Sequence, residues 1–128
     1  FQPLMFQNNL YGNFKLPHEF EMSAECLYIN LYIPKSNQNN NNNKSLLTAM
    51  LYLHGGSNAA GSASFIDPSA LAILGNVIVA LPNYRLDVNG FLNKQSLLDE
   101  DSKYNGNYGL WDQTIALKWL YENCLTLG

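Results

Sequence analysis

Basic residues and cysteines are both scarce in this chain. Of 128 residues only seven are lysine or arginine, against ten aspartates and glutamates, for a net charge of −3. The cations (Lys15, Lys35, Lys44, Arg85, Lys94, Lys103 and Lys118) are scattered, so no stripe exists to neutralise phosphates, and a nucleic-acid partner is excluded. Two cysteines, Cys26 and Cys124, allow at most one internal disulfide. With only His18 and His54 beside them, and no C-x-x-C or H-x-x-x-H spacing, no metal site is expected. No apolar run approaches the length of a transmembrane helix. No charged leader with an apolar stretch follows Phe1, and "CLTLG" closes the chain without an end signal, so it reads as an internal piece of a longer protein.

What is present is a core-forming composition. Hydrophobic residues make up 47% of the chain and charged residues 13%, which suits one folded domain rather than disorder. Residues 1–25 are irregular. "CLYINLYIP" (26–34) is aromatic and β-branched and is stopped by Pro34, so it reads as a strand. The Asn-rich run 35–45 can bury nothing and reads as a surface loop, with a glycosylation sequon at Asn43-Lys44-Ser45. "LLTAMLYLH" (46–54) is a second strand. A short helix is expected over 66–75, with Asp67 as cap, Pro68 in the first turn and Gly75 at the stop. "NVIVALPNY" (76–84) is a third strand wanting cover on both faces, and 85–109 is a long connection with several turn signals. "LWDQTIALKWLYENC" (110–124) is the strongest helix. Its apolar residues surround most of the cylinder, which predicts burial on more than one side, with Trp111 and Trp119 in the core. Strands alternating with helices predict a layered α/β fold.

The stretch with chemical content is "LYLHGGSNAAGS" (51–62), a strand running into Gly55-Gly56. A phosphate loop fails: Gly56 and Gly61 have its spacing, but Ser62 stands where lysine is required. A dinucleotide fingerprint fails on glycine spacing. Gly55-Gly56-Ser57-Asn58-Ala59 approaches the G-x-S-x-G nucleophile turn, yet no helix start follows Ser57 and no histidine follows His54. Two readings stay open. The glycines are half of an oxyanion hole, where a backbone N–H meets a developing negative oxygen, or they simply turn the chain.

Six segments, in order, resemble the type-B carboxylesterase family, which includes cholinesterases and neuroligins. They are "FQPLMFQ" (1–7), "SAECLYINLYIP" (23–34), "LYLHGGS" (51–57), "GNVIVALPNYRL" (75–86), "GFL" (90–92) and "GNYGLWDQTIALKWLYEN" (106–123). The resemblance implies that residues 1–128 are an incomplete type-B domain. They would form the N-terminal part of an α/β-hydrolase fold, a mixed, mostly parallel sheet with flanking helices. It places Gly55, Gly56 and Ser57 in the oxyanion hole and the Ser-His-Glu/Asp triad outside this chain, so the 128 residues alone are expected to be inactive. Esterases of the family usually carry a third glycine where Ser57 stands; "HGGS" is the neuroligin form, and neuroligins lack esterase chemistry. The family's cysteine matching Cys26 bridges to an upstream position occupied here by Met5, so that bridge is expected to be lost. The acidic pair before it reads Ala24-Glu25, and Asp87 and Asn89 replace a glycine and an apolar residue. Arg85 and Asp112 match positions that pair electrostatically, with a structural role. The parent is implied to act on small esters through a carboxylic ester hydrolase mechanism or, as the alternative, to bind an extracellular protein as a non-catalytic adhesion molecule. Either implies an extracellular place, secreted or membrane-tethered, and no cofactor.

Overall fold

The computed structural model describes residues 23, 25–35, 46–93 and 106–127. The readings of residues 1–22, Ala24, the Asn-rich run beyond Lys35 and its sequon, and residues 94–105 lie outside the described residues.

Three strands form one sheet in the order β1-β3-β2: β1 (Ile29–Tyr32), β2 (Thr48–Leu51) and β3 (Val77–Pro82). β1 runs antiparallel to β3, with Ile29 opposite Pro82 and Tyr32 opposite Val79. β2 runs parallel to β3, with Thr48 opposite Val77 and Leu51 opposite Ala80. Both ladders extend one bond further, through Asn83 N–H to Tyr28 O at 2.8 Å and Tyr52 N–H to Ala80 O at 2.9 Å. The parallel pair requires a crossover. A 3-10 turn (Ala63–Phe65) and helix α1 (Ser69–Gly75) supply it.

β3 is the central strand, and its composition shows why. The run Ile78-Val79-Ala80-Leu81 is almost wholly removed from solvent. Val79 and Leu81, two residues apart and so on one face, pack with Ala63 of the 3-10 turn and Ala72 of α1. Burial of each large side chain contributes ~1.5–3 kcal/mol. Beyond the strand, Tyr84 and Leu86 form a second cluster with Cys26.

The two short helices depart from the sequence reading in three places. Asp67 does not cap in the expected way: α1 begins after Pro68, and Asp67 Oδ1 accepts from Ser69 N–H at 3.0 Å and from the Ser69 hydroxyl. α1 ends at Gly75 as expected, but Asn76, with φ 50°, takes the left-handed position that caps it. The connection expected over 85–109 contains a further short helix, α2 (Asp87–Phe91).

The last helix, α3 (Tyr108–Leu127), packs against α2, β2 and β3. It buries one narrow side. Gly109, Asp112 and Leu120 are its buried residues, whereas Trp111 is 44% exposed and Trp119 38%. The expectation of burial on several sides, with both tryptophans in the core, is therefore corrected for this chain. An all-round apolar helix needs neighbours all round, and the described residues provide them on one side only.

Candidate functional site

The glycine loop is built from the end of β2 outward. His54 is buried, 4% exposed, and is gripped through both backbone and ring. Its carbonyl accepts the buried Tyr84 hydroxyl at 2.6 Å, and its ring stacks on Tyr84, with centroids 4.4 Å apart and planes 17° from parallel. Nδ1 lies 3.1 Å from the Gly55 carbonyl, which can only accept, so Nδ1 carries the proton. Burial holds the His54 pKa below the ordinary histidine range, and the ring is neutral. Its other nitrogen, Nε2, is buried and has no hydrogen-bond partner among the described residues.

Beyond His54 the chain makes a tight left-handed turn. Gly56 (φ 134°) is followed by Ser57 (φ 54°) and Asn58 (φ 58°), and the Gly56 carbonyl accepts the N–H groups of Ala59 and Ala60, each at 3.0 Å. The glycine at 56 is obligatory on steric grounds: an added Cβ would lie 1.7 Å from the Ala60 carbonyl oxygen. Gly55 is different, since a Cβ there would meet nothing within 4 Å. Gly61 (φ 125°) closes the loop against its own beginning, where a Cβ would fall 2.4 Å from the Gly55 carbonyl oxygen and 2.5 Å from His54 Nδ1. The far side is tied to α2 by Asp87 N–H donating to Asn58 O at 2.6 Å.

The consequence is a fixed loop with idle donors. The N–H groups of Gly55, Gly56 and Ser57 donate to no described residue. Two tethers hold the loop, one at His54 and one at Asn58, so these donors need little reorganisation to meet a ligand. Ser57 costs the loop something, because a left-handed conformation is strained by roughly 1–2 kcal/mol for a residue with a Cβ. Ser57→Gly is therefore expected to stabilise the protein by about 0.5–1 kcal/mol after the greater freedom of glycine in the unfolded chain is discounted. A raised urea midpoint at unchanged m-value is the expected result.

Asn83 anchors the second half of the loop. Its Oδ1 accepts Ala63 N–H at 2.8 Å and the Ser62 hydroxyl at 3.3 Å, which fixes the amide orientation. Arg85 and Asp112 meet as a fork: Nε to Oδ2 and Nη2 to Oδ1, both 2.8 Å, with Arg85 N–H also on Oδ2 at 3.0 Å. The hydrogen bonds that Arg85 donates to the Asp112 carboxylate hold its pKa above the ordinary value. The Arg85 guanidinium also lies 5.1 Å from the centre of the Tyr108 ring. Gly90 and Gly109 both back onto the Arg85 carbonyl, where a Cβ would come within 2.2 Å and 2.4 Å of its oxygen. These glycines let α2 and α3 close around the fork.

Cys26 is fully buried beside Tyr84 and Leu86, and no disulfide joins it to Cys124. Burial, with the charge of Asp112 adding to it, pushes the Cys26 thiol pKa up. That places Cys26 in the core packing under Tyr84. Among the described residues no group of three or more potential metal ligands occurs, and no helix is long and apolar enough to cross a membrane.

A profile of the carboxylesterase family matches residues 1–128. The chain belongs to the carboxylesterase family. Its relatives include both neuroligins and esterases by name. Neuroligin-2 of Homo sapiens is 38% identical over 141 residues, covering 98% of this chain and 16% of that protein. Carboxylesterase 1F of Mus musculus is 39% identical over 121 residues, covering 94% and 20% respectively. Among solved structures, a thermophilic PNB esterase superposes with a TM-score of 0.77 at 36% identity, over 100% of this chain and 25% of that one. The likeness establishes the α/β-hydrolase fold, of which this mixed sheet with its helices is a part. The chain spans about a sixth to a quarter of the length of these carboxylesterase-family relatives.

Three site residues have no assigned role in the sequence: His54 stands there as a poor metal ligand and within the "HGGS" pattern, Tyr84 ends a strand, and Gly61 fails the phosphate-loop spacing. Their contacts join positions up to 30 residues apart, which no local pattern reports.

Proposed function

We propose that this chain supplies the oxyanion loop of a carboxylic ester hydrolase whose serine, histidine and acid lie in the remainder of a longer protein. The observation that carries this reading is the set of idle N–H groups at Gly55, Gly56 and Ser57, on a loop tethered at His54 and Asn58. In acyl transfer the carbonyl oxygen of the ester becomes negative as a serine adds to it. Fixed N–H donors at 2.7–3.1 Å stabilise that oxygen without reorganisation, and one such donor is worth roughly 10²–10³ in kcat. Serine in place of a third glycine keeps the backbone N–H and so keeps the donor. The substrate class is a small carboxylic ester and the reaction needs no cofactor.

A second reading has a specific observation behind it. Ser57 gives the "HGGS" form, and neuroligin-2 is a relative of nearly equal identity to the esterases. On that reading the same fold is a non-catalytic adhesion surface for an extracellular protein. Both readings place the protein outside the cell, secreted or membrane-tethered.

The full-length protein decides between them. Turnover of a p-nitrophenyl ester, together with stoichiometric labelling by a fluorophosphonate, is expected. Absence of both in correctly folded protein would favour the adhesion reading. Residues 1–128 alone are expected to hydrolyse nothing.

A further inference from the structure

We propose that His54 is a positioning residue for this loop, setting the orientation of the Gly55–Gly56 peptide through Nδ1. The inference rests on the oxyanion reading for its catalytic consequence but not for its structural content.

Four observations carry it. The Gly55 carbonyl faces His54 Nδ1 at 3.1 Å, and a carbonyl accepts only from a protonated nitrogen. The opposite tautomer would set a lone pair against that oxygen and leave Nε2–H as a buried donor with no partner among the described residues, so these surroundings select Nδ1–H. The ring has little freedom to turn away, being stacked on Tyr84, while the His54 carbonyl holds the Tyr84 hydroxyl. Gly61 packs on the same spot, and its lack of a Cβ leaves room for both the imidazole and the Gly55 oxygen.

The geometry of a trans peptide does the rest. C=O and N–H on either side of a planar amide point in opposite directions. Holding the Gly55 oxygen toward the buried ring therefore aims the Gly56 N–H away from it, where it donates to no described residue. Loss of the Nδ1 donor frees the peptide to rotate. Rotation would present a carbonyl oxygen where the oxyanion needs a donor.

The test is a pair of variants in the full-length protein. His54→Phe keeps an aromatic ring over Tyr84 and removes the donor. His54→Asn discards the ring and keeps an N–H near the position of Nδ1. Crystal structures are expected to show the Gly55–Gly56 peptide turned in His54→Phe and native-like in His54→Asn. For ester turnover, His54→Phe should lose about 10²-fold in kcat, the size of effect that a misplaced catalytic group produces, with KM little changed. His54→Asn should recover most of that loss. A purely structural histidine predicts the reverse ranking, because phenylalanine preserves the packing better. An unturned peptide in His54→Phe would overturn the proposal. A turned peptide without any change in ester turnover would leave it standing and sink the oxyanion reading instead. If His54→Phe does not fold, His54→Asn decides alone: a native-like peptide supports the proposal and a turned one overturns it.

Discussion

On the proposed oxyanion role, replacing Gly56 by alanine is expected to lower ester turnover by the full-length protein by about 10²-fold or more, the loss that follows from removing one oxyanion donor. The added methyl would stand 1.7 Å from the Ala60 carbonyl oxygen, closer than any side-chain rearrangement can relieve, because the obstructing atom is backbone. The φ of 134° is also closed to alanine. The Gly56–Ala60 turn must therefore open, and with it go the two bonds that the Gly56 carbonyl accepts from Ala59 and Ala60. A stability loss of about 2–3 kcal/mol accompanies the change, in the range for forbidden backbone conformations. Gly55→Ala makes the informative contrast. With nothing within 4 Å of its Cβ, it should alter stability by no more than about 0.5 kcal/mol. Urea unfolding of both variants measures the difference. Equal destabilisation by the two would contradict the turn geometry described above.

The second large effect belongs to the Arg85–Asp112 fork. Asp112→Ala is expected to cost about 3 kcal/mol, because it strips the guanidinium of both oxygens and leaves Arg85 N–H without its acceptor. Arg85→Ala should cost at least as much. The Asp112 side chain is only 4% exposed, against 34% for Arg85, so the carboxylate is the partner that water can least rescue. The double variant should be more stable than the sum of the two single losses predicts, by 1 kcal/mol or more on the scale of roughly 0.5–3 kcal/mol seen for contacting pairs. Simple additivity would show the fork to be incidental. A contribution of this size is expected from its position: the fork joins the segment after β3 to the start of the second turn of α3, so it also holds α2 against α3.

The architecture was largely legible in the residues, and the site much less so. The three strands fall inside the segments expected for them, because branched and aromatic runs such as "INLY" and "VIVALP" suit a pleated, buried surface. Each is shorter than its apolar run, since pairing ends where the partner strand ends; β2 keeps four of the nine residues in "LLTAMLYLH". α2 was missed because "DVNGF" carries asparagine and glycine, which read as turn, and its helical form depends on Gly90 closing onto the Arg85 carbonyl. The tryptophans of α3 were misplaced for a related reason. Composition marks a face as apolar without saying whether a neighbour covers it. At the glycine loop, sequence could name Gly55, Gly56 and Ser57 from the family pattern. It could not separate the sterically open Gly55 from the obligatory Gly56, nor place the Tyr84 ring over His54, because both depend on where distant backbone returns.

Asp87 illustrates the same limit. The family resemblance sets a glycine where Asp87 stands, and its φ of 51° keeps the backbone in the left-handed region that a glycine adopts freely. Its N–H holds the Asn58 carbonyl, so the segment after β3 and the glycine loop are one mechanical unit.

The central claim is that the N–H groups of residues 55–57 hold a negative oxygen. The most direct measurement is a crystal structure of the full-length protein after reaction with a phosphonate ester, whose phosphoryl oxygen stands in for the oxyanion. The account predicts a serine adduct with that oxygen about 2.7–3.1 Å from at least two of the three nitrogens of Gly55, Gly56 and Ser57. An adduct whose oxygen meets other donors, or a folded protein that forms no adduct, would contradict it.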